Sequence, residues 1–151
     1  MRDAVSLVAF LALVGAAAAF GARFEPGAWY AALRKPPLTP PPVVFAPVWS
    51  VLYAAIAVAG WLAWRARPAS HRALGLWALQ LALNAAWSWL FFGLHAKGVA
   101  LVDIVALLAA VVAAAVALHR VRALAGWLLA PYAAWVAFAT YLNAGLWYLN
   151  S

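Results

Sequence analysis

The chain has 151 residues, 70% of them hydrophobic and 9% charged, with a formal net charge of +7 and a mean hydropathy of +0.97. No soluble domain of this size hides so much apolar surface, so the solvent is a bilayer. The lack of cysteine removes disulfides and thiolate chemistry, and the basic residues sit singly or in small groups beside apolar runs, which suits lipid headgroups and not nucleic acid.

Runs free of charge, tested against the roughly 20 apolar residues needed to cross about 30 Å of hydrocarbon, predict five spans at about 4–21, 43–64, 73–94, 98–118 and 124–148. The fold class is therefore an all-α integral membrane bundle of five transmembrane helices, in one domain over 1–151. The first span has a rival reading as a cleaved signal peptide, because Arg2 precedes an apolar run that ends in the small residues Gly15 to Ala19. Against this, Asp3 nearly cancels the basic start and the run exceeds the 7–15 residues of a signal core.

A long proline-rich connection, Ala22 to Pro42, joins spans one and two. Glu25-Pro26-Gly27 can turn the chain, and Ala28 to Leu33 can form one or two helical turns that put Trp29 and Tyr30 at the interface. Lys35 to Pro42 cannot be helical, since proline lacks the amide donor and restricts its predecessor, so a stiff extended strap is expected. It is either a lid at the mouth of the bundle or a rigid linker on the headgroups.

In the second span Phe45, Trp49 and Tyr53 share a face, and Pro47 removes a backbone donor. On the third, Gln80, Asn84, Trp87, Ser88 and Phe91 lie together opposite Ala78, Ala82 and Ala86. The amides must hydrogen-bond each other, a neighbouring helix or a ligand, since polar groups at membrane depth find partners inside the protein. The alanine strip permits close approach of a neighbour or of a second copy, hence a homodimer.

Asp103 in the fourth span is either a functional ionisable group or a structural one, because it lies about 9 Å from Lys97 along the helix and can reach the interface. The fifth span carries Tyr132, Trp135, Ala139 and Asn143 on one face, with Pro131 as a kink. His71, His95 and His119 lie at helix ends without metal-ligand spacing, so no metal is expected. No hydrolytic triad, paired carboxylate or phosphate loop is present, and no internal repeat suggests alternating access.

The remaining connections, near 65–72, 95–97 and 119–123, are short, so consecutive helices should be antiparallel neighbours. The strap, the 95–97 loop and the C-terminus then share one side, and Trp49 sits about 9 Å below it, Asn84 and Trp135 about 20 Å. Trp29, Trp61, Trp64, Trp77, Trp127 and Trp147 lie near span ends, as in an interfacial belt, while Trp49, Trp87, Trp89 and Trp135 lie deeper. Arg2, Arg65, Arg67, Arg72, Arg120 and Arg122 against Arg23, Arg34, Lys35 and Lys97 favour a cytoplasmic N-terminus. The excess of arginine over lysine and the heavy use of alanine suit a GC-rich bacterium, hence a bacterial cell membrane, inner or outer.

The stretches WYAALRKPPLTPPPVVFAPVWSVLY at 29–53, QLALNAAWSWLFF at 80–92 and PYAAWVAFATYLN at 131–143 together resemble the TspO/MBR family. These are the tryptophan-rich sensory proteins related to the mitochondrial translocator protein, or peripheral benzodiazepine receptor. The resemblance implies a five-helix bundle, often dimeric, with a cavity that opens toward the first loop. It would bind porphyrins and isoquinoline or benzodiazepine-type ligands, and in some members sterols, with no required cofactor. By motif position, Tyr30 and Pro40 would belong to the loop over the cavity. Trp49 and Tyr53 would belong to the second-helix wall, Asn84, Trp87 and Ser88 to the third, and Trp135 and Ala139 to the fifth. In bacterial relatives, light-dependent porphyrin breakdown is ascribed to the tryptophans matching Trp49 and Trp135. The proposed sterol pattern is missing after Tyr141 and Tyr148, because the chain ends Leu149-Asn150-Ser151 without a basic residue.

Three functions use these residues. The leading one is a membrane receptor or sensor that holds a porphyrin-type tetrapyrrole by stacking and apolar burial. The second is a light- and oxygen-dependent porphyrin-degrading enzyme with Trp49 and Trp135 as catalytic partners. A transporter of tetrapyrroles or sterols is third, with Asp103 as its one proton carrier within a span.

Overall fold

Five apolar stretches, Asp3–Gly21, Pro42–Arg65, His71–Gly93, Lys97–Val121 and Ala123–Leu149, are each helical over a length sufficient to cross a membrane. The computed structural model describes residues 2–66 and 70–151, apart from the Arg2 side chain; Arg67, counted above among the flanking cations, lies outside the described residues. The helices are α1 Arg2–Gly21, α2 Gly27–Ala32, α3 Pro42–Arg65, α4 His71–Ser88, α5 Lys97–Val121, α6 Ala123–Leu128 and α7 Ala130–Leu149, with a π-helical turn, Trp89–Gly93, extending α4. The fifth span is broken between α6 and α7 next to Pro131, as a residue without an amide donor dictates. Pro47, by contrast, leaves α3 continuous.

The spans are arranged in a ring in which α1 packs on α3 and α4, α4 on α5, α5 on α6 and α7, and α6 on α3. Chain order predicts close packing of the second span on the third, but α3 makes few close backbone approaches to α4, α5 or α7. Its partners are α1 and α6. Near its C-terminal end α3 buries Ala57, Ala59 and Ala63, small residues that let helices meet without a hydrophobic driving force. Ala114 of α5 and Ala125 and Gly126 of α6 do the same, and a Cβ on Gly126 would come within 2.7 Å of the Ala115 carbonyl.

Trp77 decides how α3 and α4 sit. It departs from the interfacial-belt expectation, being only 4% exposed, with its indole N–H donated to the Ile56 carbonyl at 2.8 Å and its ring edge-on to Phe10. An indole wedged between two helices keeps their backbones apart. Trp89, counted among the deeper indoles, is exposed, because it lies on the helix face opposite Gln80, Asn84 and Phe91. Trp64, Trp127 and Trp147 are exposed near span ends, as a belt requires. Asp3 is paired with Arg65 at 2.9 Å, so the acidic residue of the first turn ties α1 to the end of α3.

Gly60 is where this wedge is most sensitive. A Cβ there would lie 2.7 Å from Trp77 Nε1 and 2.9 Å from Phe10, and the indole is held by its hydrogen bond and cannot easily withdraw. Gly60→Val is expected to lower stability by about 1–3 kcal/mol through overpacking. Thermal unfolding in detergent, followed by intrinsic fluorescence, checks this; an unchanged midpoint would mean that Trp77 is free to move.

Candidate ligand-binding cavity

Because α3 stands away from α4, α5 and α7 toward its N-terminal end, a cavity of about 390 Å³ remains between them. Helical spacing aims the walls. Phe45, Trp49 and Tyr53 repeat every four residues along α3; Asn84, Trp87 and Ser88 occupy one face of α4; Trp135 and Ala139 lie one turn apart on α7. Of the residues singled out above, Trp49, Tyr53, Asn84, Trp87, Ser88, Trp135 and Ala139 all line this one space.

Tyr30 and Pro40 do not. Tyr30, in α2, packs edge-on against Phe92, which itself lines the cavity, so it lies behind the wall. Pro40 belongs to a strap whose stretch from Arg34 to Pro37 is fastened to α7. Pro36 is buried at Gly145, where a Cβ would meet it at 2.6 Å. The Arg34 amide donates to Asn150 Oδ1 and Asn150 Nδ2 donates to the Arg34 carbonyl, both at 2.9 Å, while the Tyr141 hydroxyl donates to the Pro37 carbonyl at 3.0 Å. Lys35, expected among the headgroups, instead donates to the carbonyls of Tyr30, Ala31 and Leu33 at 2.7, 3.2 and 2.9 Å, capping α2. Trp29, expected at the interface, stacks on His95 with ring centres 3.9 Å apart.

Several lining residues escaped the pattern. Ala18, Gly21, Ala22 and Pro26 close the α1 side, and Phe92, Ile104, Leu107 and Val136 complete the apolar surface. In a chain so rich in alanine, small lining residues on α1 carry no signal that separates them from lipid-facing ones. Gly21 does have a structural mark: a Cβ there would sit 3.1 Å from Ser88 Oγ, so α1 and α4 meet closely at the cavity edge.

Asn84 and Asn143 are committed to helix–helix bridges. Tyr53 donates to Asn84 Oδ1 at 3.1 Å and Asn84 Nδ2 donates to the Tyr132 hydroxyl at 3.0 Å, which links spans two, three and five. Asn143, 1% exposed, accepts from Trp87 Nε1 at 3.0 Å and donates to the Lys97 carbonyl at 2.9 Å, which links spans three, four and five. Trp87 therefore offers the cavity its ring face but not its N–H. The indole N–H groups of Trp49 and Trp135 make no hydrogen bond among the described residues, so both remain available to a ligand.

Gln80 is fully buried but does not line the cavity; its Nε2 donates to the Trp77 carbonyl at 2.9 Å within its own helix. Ala78 and Ala82 are exposed and Ala86 is half-buried, so among the described residues the alanine strip is covered only in part and only at its Ala86 end. Asp103 is partly buried, with Oδ2 shielded from solvent and unpaired among the described residues, and it too lies outside the cavity wall.

Comparison with known proteins agrees with this architecture. The chain is 44% identical over 134 residues to the human "Translocator protein", covering 84% of this chain and 79% of that one. It is 40% identical over 153 residues to the translocator protein of Bos taurus, covering 97% and 90%. With the "Tryptophan-rich protein TspO" of Archaeoglobus fulgidus it shares 38% identity over 152 residues, covering 100% and 98%. Residues 6–149 match the TspO/MBR family, and on that match, these relatives and its five membrane-spanning helices the chain belongs to the TspO/MBR family of integral membrane proteins.

Proposed function

We propose that the protein is a membrane receptor or sensor that binds a porphyrin-type tetrapyrrole, or a similar flat hydrophobic molecule, in the cavity between α3, α4 and α7. The observation that carries this reading is the chemistry of the wall: a 390 Å³ space faced by Phe45, Trp49, Trp87, Phe92 and Trp135, with polar groups at only a few points. Binding sites for flat organic molecules have this form, apolar and aromatic over most of the surface with a few groups that fix orientation. Trp49 lies beside Tyr53, ring centres 5.2 Å apart, and Trp135 is edge-on to Phe45 at 5.8 Å, so each indole is steadied by an aromatic neighbour. A planar ring sliding between them would gain stacking and apolar burial from both. The setting we favour is a bacterial cell membrane, and the largely uncovered strip Ala78, Ala82 and Ala86 is the surface we assign to a homodimer.

The degrading-enzyme reading draws support from the same placement. Trp49 and Trp135 line one cavity, so a bound porphyrin excited by light would lie against both indoles, where oxygen-dependent oxidation has its substrate and its aromatic partner together.

Titration with protoporphyrin in the dark, followed by tryptophan quenching in detergent, is expected to saturate. The Trp49→Phe/Trp135→Phe double variant keeps the rings but loses two free donors, and its affinity should fall about tenfold, as the loss of one or two hydrogen bonds of ordinary net strength requires. Equal affinity in the folded double variant would take both residues out of the site. Asn84→Leu is a harsher change than its place on the wall suggests, because it strands the hydroxyls of Tyr53 and Tyr132 together. A stability loss of about 1–3 kcal/mol is expected beside any loss of binding, measured as a lower unfolding midpoint without ligand.

For the enzyme reading, bleaching of the porphyrin Soret band under light and oxygen should slow several-fold in Trp135→Phe. Bleaching at the same rate in this variant, or with protein-free porphyrin in micelles, would sink that reading and leave binding intact.

A further inference from the structure

Tyr53, Asn84 and Tyr132 form a chain of groups at the cavity floor, each able both to donate and to accept. Spacings of 3.1 and 3.0 Å admit two polarities. In one, Tyr53 donates to Asn84 Oδ1 and Asn84 Nδ2 donates to Tyr132, which leaves the Tyr132 hydroxyl proton without an acceptor among the described residues. In the other, a half-turn of the Asn84 amide over the same heavy-atom positions lets Tyr132 donate to Oδ1 and Nδ2 donate to Tyr53. The spare proton then belongs to Tyr53.

Where that proton sits decides between them. Tyr132 is 0% exposed and does not line the cavity, whereas Tyr53 is partly exposed and does. A buried hydroxyl that cannot donate is costly, while one that faces an open cavity is met by water or ligand. The neighbouring wall has the same sense, since the N–H groups of Trp49 and Trp135 can only donate.

We infer that the second polarity is the working one: Tyr132, acting through Asn84, turns the Tyr53 hydroxyl proton into the cavity, and the site selects flat apolar ligands bearing a hydrogen-bond acceptor, such as a ring nitrogen or a carbonyl. This rests on the cavity being the ligand site. Tyr132 is a positioning residue, and Tyr53 is the group that touches the ligand. Low polarity around the pair strengthens the bond that the acceptor makes, and an isostere without an acceptor leaves the donor unpaired.

Three two-ring probes separate the possibilities: quinoline, which offers an acceptor, naphthalene, which offers neither group, and indole, which offers a donor. Each is dialysed to equilibrium at neutral pH against the detergent-solubilised protein, with protein-free micelles as the partition control. Quinoline is expected to bind roughly three- to tenfold tighter than naphthalene, and tighter than indole. Tyr53→Phe should lower the quinoline-to-naphthalene ratio several-fold, leaving only the preference that the Trp49 and Trp135 N–H groups supply. Tyr132→Phe keeps the buried ring but frees Asn84 to take either orientation, so it should lower the ratio without touching the probe, an effect that a merely space-filling residue would not have. Gel filtration and circular dichroism establish that the variants are folded.

Indole binding as tightly as quinoline, or a ratio unchanged by Tyr53→Phe, overturns the donor assignment. A ratio unmoved by Tyr132→Phe overturns its positioning role. If none of the three probes binds saturably, the cavity reading itself fails, a result distinct from saturable binding in the wrong order.

Discussion

A polar side chain within the hydrocarbon layer must find its partner inside the protein, and in this bundle two asparagines meet that demand by reaching across to other spans. Asn84 touches two tyrosines on two different helices, and Asn143 joins an indole on one helix to a backbone carbonyl on another. Such bridges work at side-chain length. They hold α3, α4 and α7 together while letting their backbones remain apart, which is the geometry that leaves a cavity. Where the contacts are instead Ala57, Ala114, Ala125 and Gly126, the backbones close and no space is left.

The two kinds of contact divide the bundle along the membrane normal. Near the Arg65 and Val121 ends of their spans, small residues and the Trp77 wedge make a close-packed base; toward the strap, large aromatic residues surround open space. A ligand-sized hole in a bilayer protein collapses unless something resists closure. Here the resistance comes from rings braced on other rings, Trp87 stacked on Phe91 at 5.1 Å and Trp49 edge-on to Tyr132 at 6.2 Å, together with amides that fix the depth at which the helices cross-link.

The five spans and three aromatic faces were legible in the sequence because both are periodic, and seven of the nine residues singled out for the cavity do meet in one space. Other features had no periodic signature. Trp77 sits at the right distance from a span end for a belt residue, and only the glycine at position 60 on another helix makes room to bury it. Trp89 lies deep in its span yet faces outward, because depth along a helix does not fix the side, and Trp89 is on the face opposite Asn84 and Phe91. The contribution of α1 and the residue after it is made by Ala18, Gly21 and Ala22, which are indistinguishable in type from their lipid-facing neighbours. Pro40 lies off the cavity wall for a simpler reason: a stiff strap can lie over a mouth or beside it, and its proline content does not say which.

The side on which it lies follows from α7. Gly145 leaves a notch that Pro36 fills, Tyr141 holds the Pro37 carbonyl, and Asn150 pairs with both backbone groups of Arg34, so the strap is fixed to the last turns of one helix. The same helix presents Trp135 and Ala139 to the cavity and buries Tyr132 beneath it. Strap and fifth-span wall are consequently one mechanical unit, joined by hydrogen bonds at 2.9–3.0 Å and a proline seated against a glycine. The strap meets the other spans through α2, whose Trp29 and Tyr30 rest on His95 and Phe92 by ring contacts alone. Ring contacts slide at lower cost than the hydrogen-bonded pairing at Asn150, so of the strap's two attachments the one to α7 is the firmer.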